Sequence, residues 1–227
     1  MSNNIEDKKG NYEVVRNILS SRYQEVNGYD FYRYIFPDNQ NVGELSGNYS
    51  KPNAIYLYRD EEEDPDRTYR RRIMLNDTWE DDYMNYVECN HKTLCSGLAY
   101  RDKKNRLENA QQMNALVFDL DSVGENELEN LLLRMSKKPG LRTLPEPTFI
   151  VMSGTGLHIY YVFDRPVALY PNIKLQMKAL KYDLTFKMWE YKATSKEKQI
   201  QYQSINQGFR MVGSINDKYN LPVVAGS

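Results

Sequence analysis

Two carboxylates one residue apart follow an apolar run near the middle of the chain. Residues 115–118 read Ala-Leu-Val-Phe and lead into Asp119, Leu120 and Asp121. An uninterrupted apolar run that contains Val and Phe predicts a strand buried on both faces. Because side chains alternate along a strand, Asp119 and Asp121 are expected on one face, roughly 6–7 Å apart. Two such acids repel each other unless a cation lies between them, so the motif indicates either a divalent-metal site or the polar end of a strand.

A glycine-rich connection forms a second candidate site. Ser153, Gly154, Thr155 and Gly156 lie between two apolar stretches that predict strands, and His158 follows. Two glycines let the backbone approach a ligand closely, and exposed amides in such a turn can bind phosphate oxygens. Alternation places His158 on the face opposite to its neighbours in the core, so we expect it to contact a ligand.

An arginine near the end of the chain forms a third candidate. Arg210 lies between Phe209 and Met211 in a predicted strand, and a Gly213-Ser214 turn follows. Alternation turns its guanidinium away from the two apolar side chains. A guanidinium beside a small-residue turn is suited to bidentate binding of phosphate, although an isolated arginine on a strand edge is more often a surface residue.

Hydrophobic periodicity supplies the elements that position these residues. It predicts helices over residues 12–26, 78–87, 125–135 and 171–191, and strands over residues 54–58, 115–121, 148–152, 157–163 and 208–212. The polar residues 1–10 are expected to be frayed. In the last helix, Ile173, Met177, Leu180, Leu184 and Met188 form an apolar stripe, and Lys174, Lys178, Lys181 and Lys187 fall on other faces. This order of elements indicates an α+β protein.

Composition is that of an ordinary globular protein. The chain has 227 residues and a formal net charge of −1, but residues 122–227 hold 14 Lys and Arg against 9 Asp and Glu. A basic half that carries the candidate site suits a polyanionic partner. No apolar run reaches the ~20 residues of a membrane span, and no signal segment is recognisable. We therefore expect a cytoplasmic protein.

The two cysteines do not predict a disulfide framework. Cys89, His91 and Cys95 are residue types that bind zinc, but structural zinc sites take four ligands and no second half is present. Ordinary thiols are the favoured interpretation.

Taken together, the three motifs resemble those of the archaeo-eukaryotic primase superfamily, the primases and primase-polymerases common in plasmids, phages and other mobile elements. Phe118-Asp119-Leu120-Asp121 is similar to the first family motif, and Ser153-Gly154-Thr155-Gly156-Leu157-His158 is similar to the second. Arg210-Met211-Val212-Gly213-Ser214-Ile215-Asn216 is similar to the third. The resemblance spans about residues 112–218, and the order and spacing of the motifs fit.

This resemblance implies a fold and an activity. It implies an RRM-like antiparallel sheet with packed helices in residues 111–227, joined to an N-terminal α/β lobe in residues 1–110 of the same catalytic unit. The implied activity is template-directed nucleotidyl transfer from NTPs or dNTPs, to make or extend primers on single-stranded DNA. A replicative helicase, in cis or in trans, would be a further partner, and the chain would be a fragment of a longer protein or act beside that helicase.

The resemblance also assigns roles to individual residues. Asp119 and Asp121 would hold Mg²⁺ or Mn²⁺. His158 and the amides of residues 153–156 would contact the triphosphate, as would Arg210 and Ser214. Members of the superfamily usually supply a third carboxylate to the metals, and here only Asp217 lies near the third motif. Basic residues of the helix over 171–191 would follow the template backbone.

Two other interpretations remain open at this stage. An apolar strand that runs into Asp-x-Asp also resembles the haloacid-dehalogenase phosphatases, in which Asp119 would be the nucleophile and Asp121 the general acid. That fold needs successive parallel strands and a late acidic pair. The other interpretation is a non-catalytic nucleic-acid-binding module of a replication initiator.

Overall fold

The computed structural model describes residues 2–37, 52–59, 66, 68–136, 140 and 143–227. Its helices are α1 Ser2–Ser20, α2 Gly28–Ile35, α3 Trp79–Tyr86, α4 Glu125–Met135 and α5 Pro171–Met188. Its strands are β1 Glu25–Val26, β2 Asn53–Tyr58, β3 Arg70–Ile73, β4 Thr93–Tyr100, β5 Ala110–Leu120, β6 Phe149–Met152, β7 Leu157–Ala168, β8 Phe209–Arg210, β9 Ile215–Asn216, β10 Leu221–Pro222 and β11 Val224–Gly226.

One large antiparallel sheet organises the described residues. Its strands follow the order β1-β11-β6-β7-β5-β4-β2-β3, with β8 paired to β4 beside this path, and β9 and β10 form a separate two-stranded sheet. The longest pairing joins β5 to β7, and it places Asp119 opposite His158. The expectation of an α+β protein with an antiparallel sheet and packed helices is confirmed. The RRM-like assignment and the division at residue 110 stay predictions.

Apolar side chains cover both faces of the sheet. On one face, Leu116, Phe118 and Leu120 of β5 pack with side chains of α1, α4 and α5. On the other, Ala115 and Val117 pack with the aromatic residues of α2 and α3. Because both faces of the sheet are covered, alternate side chains of β5 pack into two different hydrophobic cores. Asp119 lies on the same face of β5 as Ala115 and Val117, at the edge of the core that these two residues join.

The sheet splits between β4 and β5. These strands pair only from Leu98 opposite Met113 to Tyr100 opposite Ala110. Gly97 lies so close to β5 that an added Cβ would be 2.2 Å from the carbonyl oxygen of Ala115. Beyond this contact β4 pairs with β8 instead, so the carboxyl end of β5 borders an open space.

Two sequence predictions are corrected here. The first helix differs from its predicted bounds of 12–26. Residues 2–10 belong to α1 rather than to a frayed terminus, and Lys8 ties this part of the helix to the Tyr219 hydroxyl over 3.0 Å. The helix ends at Ser20, and Glu25–Val26 form β1. The inward face of α5 also differs from the predicted stripe. Lys181 is buried and Leu180 is 42% exposed, whereas the stripe placed leucine inside and lysine outside.

No helix in the described ranges has the length and the apolar character that crossing a bilayer requires.

Candidate active site

The end of β5 fixes the two carboxylates in place. Asp119 is held by its pairing with His158 in β7, and the backbone oxygen of Asp121 accepts a hydrogen bond of 2.8 Å from the Ser195 hydroxyl. Ser122 then turns the chain with a φ of 54°. Both acids border the same cleft, as the alternation of the strand requires.

Burial raises the pKa of both acids, and the charge of Asp119 raises the pKa of Asp121 further. The pKa of Asp119 is raised to about 6 by burial, although the charges of Lys181 and Arg210 oppose the shift. The pKa of Asp121 is also raised, first by burial and then by the charge of Asp119, while a hydrogen bond from Gln201 opposes it. Positive charge placed between the two carboxylates would remove this penalty.

His158 is a buried, neutral imidazole at the floor of the cleft. Its Nε2 lies 3.7 Å from Oδ1 of Asp119, and its ring packs on Phe209 with centroids 5.1 Å apart. Burial and then the charge of Arg210 lower its pKa to about 3. Its Nδ1 is buried without a hydrogen-bond partner. A buried ring nitrogen that lacks a partner inside a polar cleft is typical of a ligand-binding group.

The glycine-rich connection is the turn between β6 and β7. It is closed by a hydrogen bond of 3.1 Å from the Ser153 amide to the Gly156 oxygen. Gly154 has a φ of 120°, which a residue with a side chain rarely adopts. At Gly156 an added Cβ would lie 2.5 Å from the oxygen of Leu120. The turn therefore lies directly against the end of β5, and Ser153, Thr155 and Gly156 line the cleft.

Arg210 lies on the opposite wall, and acidic and backbone groups already engage it. Its Nη2 is 2.5 Å from Oδ1 of Asp217, and its Nη1 donates to the backbone oxygen of His91 over 3.4 Å. Lys92 forms an ion pair with the same aspartate. Asp217 thus neutralises the basic wall and is not a lining residue of the cleft. Its assignment as a third metal ligand stays a prediction that this arrangement does not favour.

Ser214 is the predicted site residue that the structure keeps away from the cleft. Its side chain is buried, and its hydroxyl donates to the oxygen of Met211 over 2.5 Å. The hydroxyl therefore holds the turn after β8 and is not free to bind a ligand in this arrangement. Gly154 does not line the cleft either, although its two neighbours do.

The two cysteines lie in different environments. Cys95 is buried and Cys89 is exposed. The thiol of Cys95 contacts the backbone oxygens of Ile55 and Ser96, as an ordinary core thiol does.

Lys181 does not line the cleft, but its charge acts on Asp119, and the sequence analysis did not predict its burial. It is 1% exposed, and its ammonium donates to the oxygen of Ser204 over 3.0 Å and lies 5.3 Å from the centroid of Phe209. Burial lowers its pKa to about 8, although the charge of Asp119 opposes the shift. The available signal was positional: Lys181 follows Met177 by four residues and precedes Met188 by seven, so all three share a helical face.

The cleft as a whole has a volume of about 390 Å³. Acids line one wall, basic groups that include Lys92, Arg210 and Lys218 line the other, and Phe209 and His158 lie between them. A linear polyanion that carries a divalent cation at one end matches this distribution of charge.

The donor set suits a magnesium-like cation that shares its ligands with a phosphate. Carboxylate oxygens are the ligands that Mg²⁺ prefers, and Mg²⁺ is often held by one or two carboxylates together with substrate phosphates and water. Asp119 and Asp121 supply two such groups. Among the residues that the structure describes, no cluster of three or more His, Cys, Asp or Glu could hold a metal ion by itself. With two carboxylates from the chain, the remaining ligands of such an ion would come from substrate phosphates and water.

Comparison with solved structures finds a distant likeness. The chain is similar to the AEP domain (PP-N190) of the cyanophage S-2L primase-polymerase, with 14% sequence identity, coverage of 77% of this chain and 80% of that chain, and a TM-score of 0.46. No family model matches the sequence, and no curated protein matches it. A TM-score below 0.5 assigns no family, so the function must be inferred from the residues of the cleft.

Proposed function

We propose that this chain is the catalytic domain of a metal-dependent nucleotidyltransferase of the primase or primase-polymerase type, as found in plasmids, phages and mobile elements. It would transfer nucleotides from NTPs or dNTPs to a primer on a single-stranded DNA template. One observation carries the proposal: Asp119, Asp121, His158 and Arg210, which lie far apart in the sequence, border a single cleft.

The acidic wall would hold the cation. Asp119 and Asp121 bind Mg²⁺ or Mn²⁺ in this proposal, and the bound ion supplies charge neutralisation and activation of the attacking hydroxyl. Burial raises the pKa of both acids, and a cation bound between them would offset the cost of burying their charges.

The floor and the basic wall would bind the triphosphate. His158 is neutral at pH 7 because its pKa is about 3, so it offers one ring N–H as a donor to a phosphate oxygen. Arg210 would donate two charge-assisted hydrogen bonds after its guanidinium exchanges Asp217 for phosphate. The amides of Thr155 and Gly156, which line the cleft, would add neutral donors, whereas the Ser153 amide already donates to the Gly156 oxygen. We leave Ser214 out of this set because its hydroxyl is engaged by Met211.

The phosphatase interpretation is not carried forward. It requires the Asp-x-Asp strand to lie among parallel neighbours, whereas β5 is antiparallel to both β7 and β4. The non-catalytic nucleic-acid-binding module remains the second candidate. It is favoured by the pairing of Arg210 with Asp217 and by the fact that, among the residues the structure describes, Asp119 and Asp121 are the only acids that line the cleft.

The test is primer extension on a labelled primer–template with Mn²⁺ or Mg²⁺ and with NTPs or dNTPs. Asp119→Asn and Asp121→Asn keep the shape of each side chain and remove its charge. Each should lower incorporation by 100-fold or more, on the order of the loss expected for removed metal-ion catalysis. Glu108→Gln, an exposed acid at the far end of β5, is the matched control and should retain activity.

Three outcomes separate the candidates. Metal-dependent incorporation that both aspartate variants abolish supports the polymerase. Single-strand binding without any incorporation supports the binding module. Incorporation unchanged in the aspartate variants contradicts the proposed site.

A further inference from the structure

The outward face of α5 carries exposed apolar and aromatic side chains. Leu175, Tyr182 and Phe186 are 67%, 51% and 66% exposed. They recur at intervals of seven and four residues, so they lie along one side of the helix. The core takes a different face, which holds Met177 and Met188. The exposed stripe is therefore a second apolar face that packing of α5 does not use.

A pair of stacked tyrosines lies on this face. The rings of Tyr182 and Tyr202 have centroids 4.6 Å apart and an interplanar angle of 7°. Tyr202 is 42% exposed. Parallel stacking leaves the outer ring faces of the pair available to a third planar group, and a nucleobase is such a group.

The pair is continuous with the acidic wall of the active site. Gln201, the residue before Tyr202, hydrogen-bonds the side chain of Asp121. Two residues after Tyr202, the oxygen of Ser204 accepts the hydrogen bond of Lys181. Residues 201–204 are thus fixed from both sides, and the ring of Tyr202 extends from a short segment whose neighbour touches a proposed metal ligand.

The surrounding charge indicates a polyanionic occupant. Residues 171–203 contain seven lysines against three acids, and all of the seven except Lys181 have side chains that are not buried. One of the acids, Glu190, is paired with Arg134 at 2.5 Å. Lys192 lies over the ring of Tyr191, 5.4 Å from its centroid. Lysines interleaved with exposed aromatic rings are the combination that binds single-stranded nucleic acid, in which lysines contact phosphates and rings stack on bases.

We propose that the Tyr182–Tyr202 pair is a stacking platform for a single strand of nucleic acid that leads to the cleft. The proposal rests on the proposed function, because it takes the strand to be the template. Beyond the proposed function, it names the surface that binds the strand, the Tyr182–Tyr202 pair, and the interaction, stacking of bases on tyrosine rings. A helix-binding protein partner is the competing occupant of an apolar helix face, and the charge surplus and the stacked rings argue for the nucleic acid instead.

The experiment measures binding of a fluorescent deoxythymidine oligonucleotide by anisotropy at constant salt, without nucleotide. Tyr202→Ala and Tyr182→Ala should each weaken binding roughly 5- to 150-fold, the equivalent of about 1–3 kcal/mol per stacked base. Tyr202→Phe keeps the ring and should bind like the unaltered chain. Tyr170→Ala removes an equally exposed tyrosine (68%) at the opposite end of α5 and should have no effect.

A second oligonucleotide of the same length with abasic sites separates stacking from charge. It keeps the phosphates and lacks the bases, so the alanine variants should bind it as the unaltered chain does. Equal loss on both oligonucleotides, or no loss on either, overturns the platform. Failure of the unaltered chain to bind the thymidine oligonucleotide overturns it as well and leaves the face to a protein partner.

The same variants distinguish this inference from the proposed function. Affinity for a nucleotide with Mn²⁺ reports on the cleft, and it should be unchanged in Tyr202→Ala. Base-dependent loss of strand binding in a chain that never incorporates nucleotides would support the platform and contradict the polymerase. Normal incorporation with unchanged strand binding in Tyr202→Ala would support the polymerase and contradict the platform.

Discussion

Two clefts lie at opposite ends of the β5–β7 strand pair, and they differ in how deeply their charged side chains are buried. The candidate active site borders the carboxyl end of β5, where Asp119 faces His158. A second cavity, which we call the distal cleft, borders the other end near Gln112 and Ala168. The distal cleft is the larger, at about 470 Å³ against about 390 Å³. Its charged residues are Arg101, Glu108 and Lys174.

Burial of charge separates the two clefts better than volume does. In the distal cleft Arg101 and Glu108 are exposed, so water solvates them. In the candidate site Lys181 and His158 are buried, and Asp119 has a pKa raised to about 6. Buried charges that shift each other's pKa values destabilise a fold, and such groups cluster at sites that bind a ligand or catalyse a reaction. The distal cleft therefore supplies matched controls for each charged residue of the active site.

The largest expected difference between the clefts concerns the pH dependence of stability. Asp119 has a folded-state pKa of about 6 against an ordinary value of 3.8, so the folded state holds this proton to higher pH than the unfolded chain. Its contribution to the free energy of unfolding therefore falls as pH rises from about 4 to about 6. Asp119→Asn should stabilise the fold at pH 7 by on the order of 2–3 kcal/mol, measured by urea unfolding. Glu108→Gln should leave stability unchanged.

The contribution of His158 to stability changes with pH in the opposite direction to that of Asp119, and the same unfolding measurement tests it. Its pKa is lowered to about 3 from 6.5, so the unfolded chain binds this proton first as the pH falls. Its contribution to stability is complete above about 6.5 and is lost below that pH. His158→Gln should therefore leave a stability that declines as pH rises from about 4 to about 6. A profile that matches the unaltered protein would mean that the pKa of His158 is not lowered by burial as described.

A smaller difference is expected in nucleotide affinity. Arg210→Gln should weaken binding of a nucleotide with Mn²⁺ by roughly 10- to 100-fold, because charge-assisted hydrogen bonds contribute about 1.5–3 kcal/mol. Arg101→Gln in the distal cleft should have no effect. Asp217→Asn should tighten binding, since Asp217 competes with phosphate for Arg210. Calorimetric titration measures all three, and unchanged affinity in Arg210→Gln would make the pair with Asp217 purely structural.

The smallest expected difference concerns two of the four lysines of α5. Lys181 lowers the pKa of Asp119, so Lys181→Met should raise that pKa further. The acidic limb of the activity–pH profile should then move to higher pH, with a loss of only a few-fold near pH 6.5 that is recovered at higher pH. Lys174→Met removes a lysine that donates to the oxygen of Leu107 and should leave the profile in place. A loss that is equal at every pH would argue for a packing role of Lys181.

Local pattern was sufficient to predict the parts of the site that lie within one element. The apolar run before Asp119 predicted β5, and the two glycines after Ser153 predicted the turn between β6 and β7. Alternation along the strand predicted that the side chains of His158 and Ile159 lie on opposite faces of the sheet. It did not predict that His158 would be buried, because the opposite face is also covered, by α2 and α3. That covering depends on the order of strands in the sheet, which no local pattern encodes.

The residues that were missed depend on contacts between distant segments. Lys181 was read as an outward lysine because lysines are rarely buried, yet its ammonium contacts the oxygen of Ser204 and the ring of Phe209. Gln201 lies in a polar segment without periodicity, and the hydrogen bond from Ser195 to the oxygen of Asp121 joins that segment to the end of β5. Asp217 looked available to a metal, and its pairing with Arg210 follows from the turn between β8 and β9. Each of these is a property of the assembled sheet.

The most direct test of the account is a crystal structure of the chain with a nucleoside triphosphate and Mn²⁺, with the metal located by its anomalous scattering. We predict a manganese ion coordinated by both Asp119 and Asp121, with the triphosphate bound between this ion and the side chains of His158 and Arg210. A metal ion bound elsewhere, or a triphosphate that does not contact Arg210, would contradict the assignment of this cleft as a nucleotidyltransferase site.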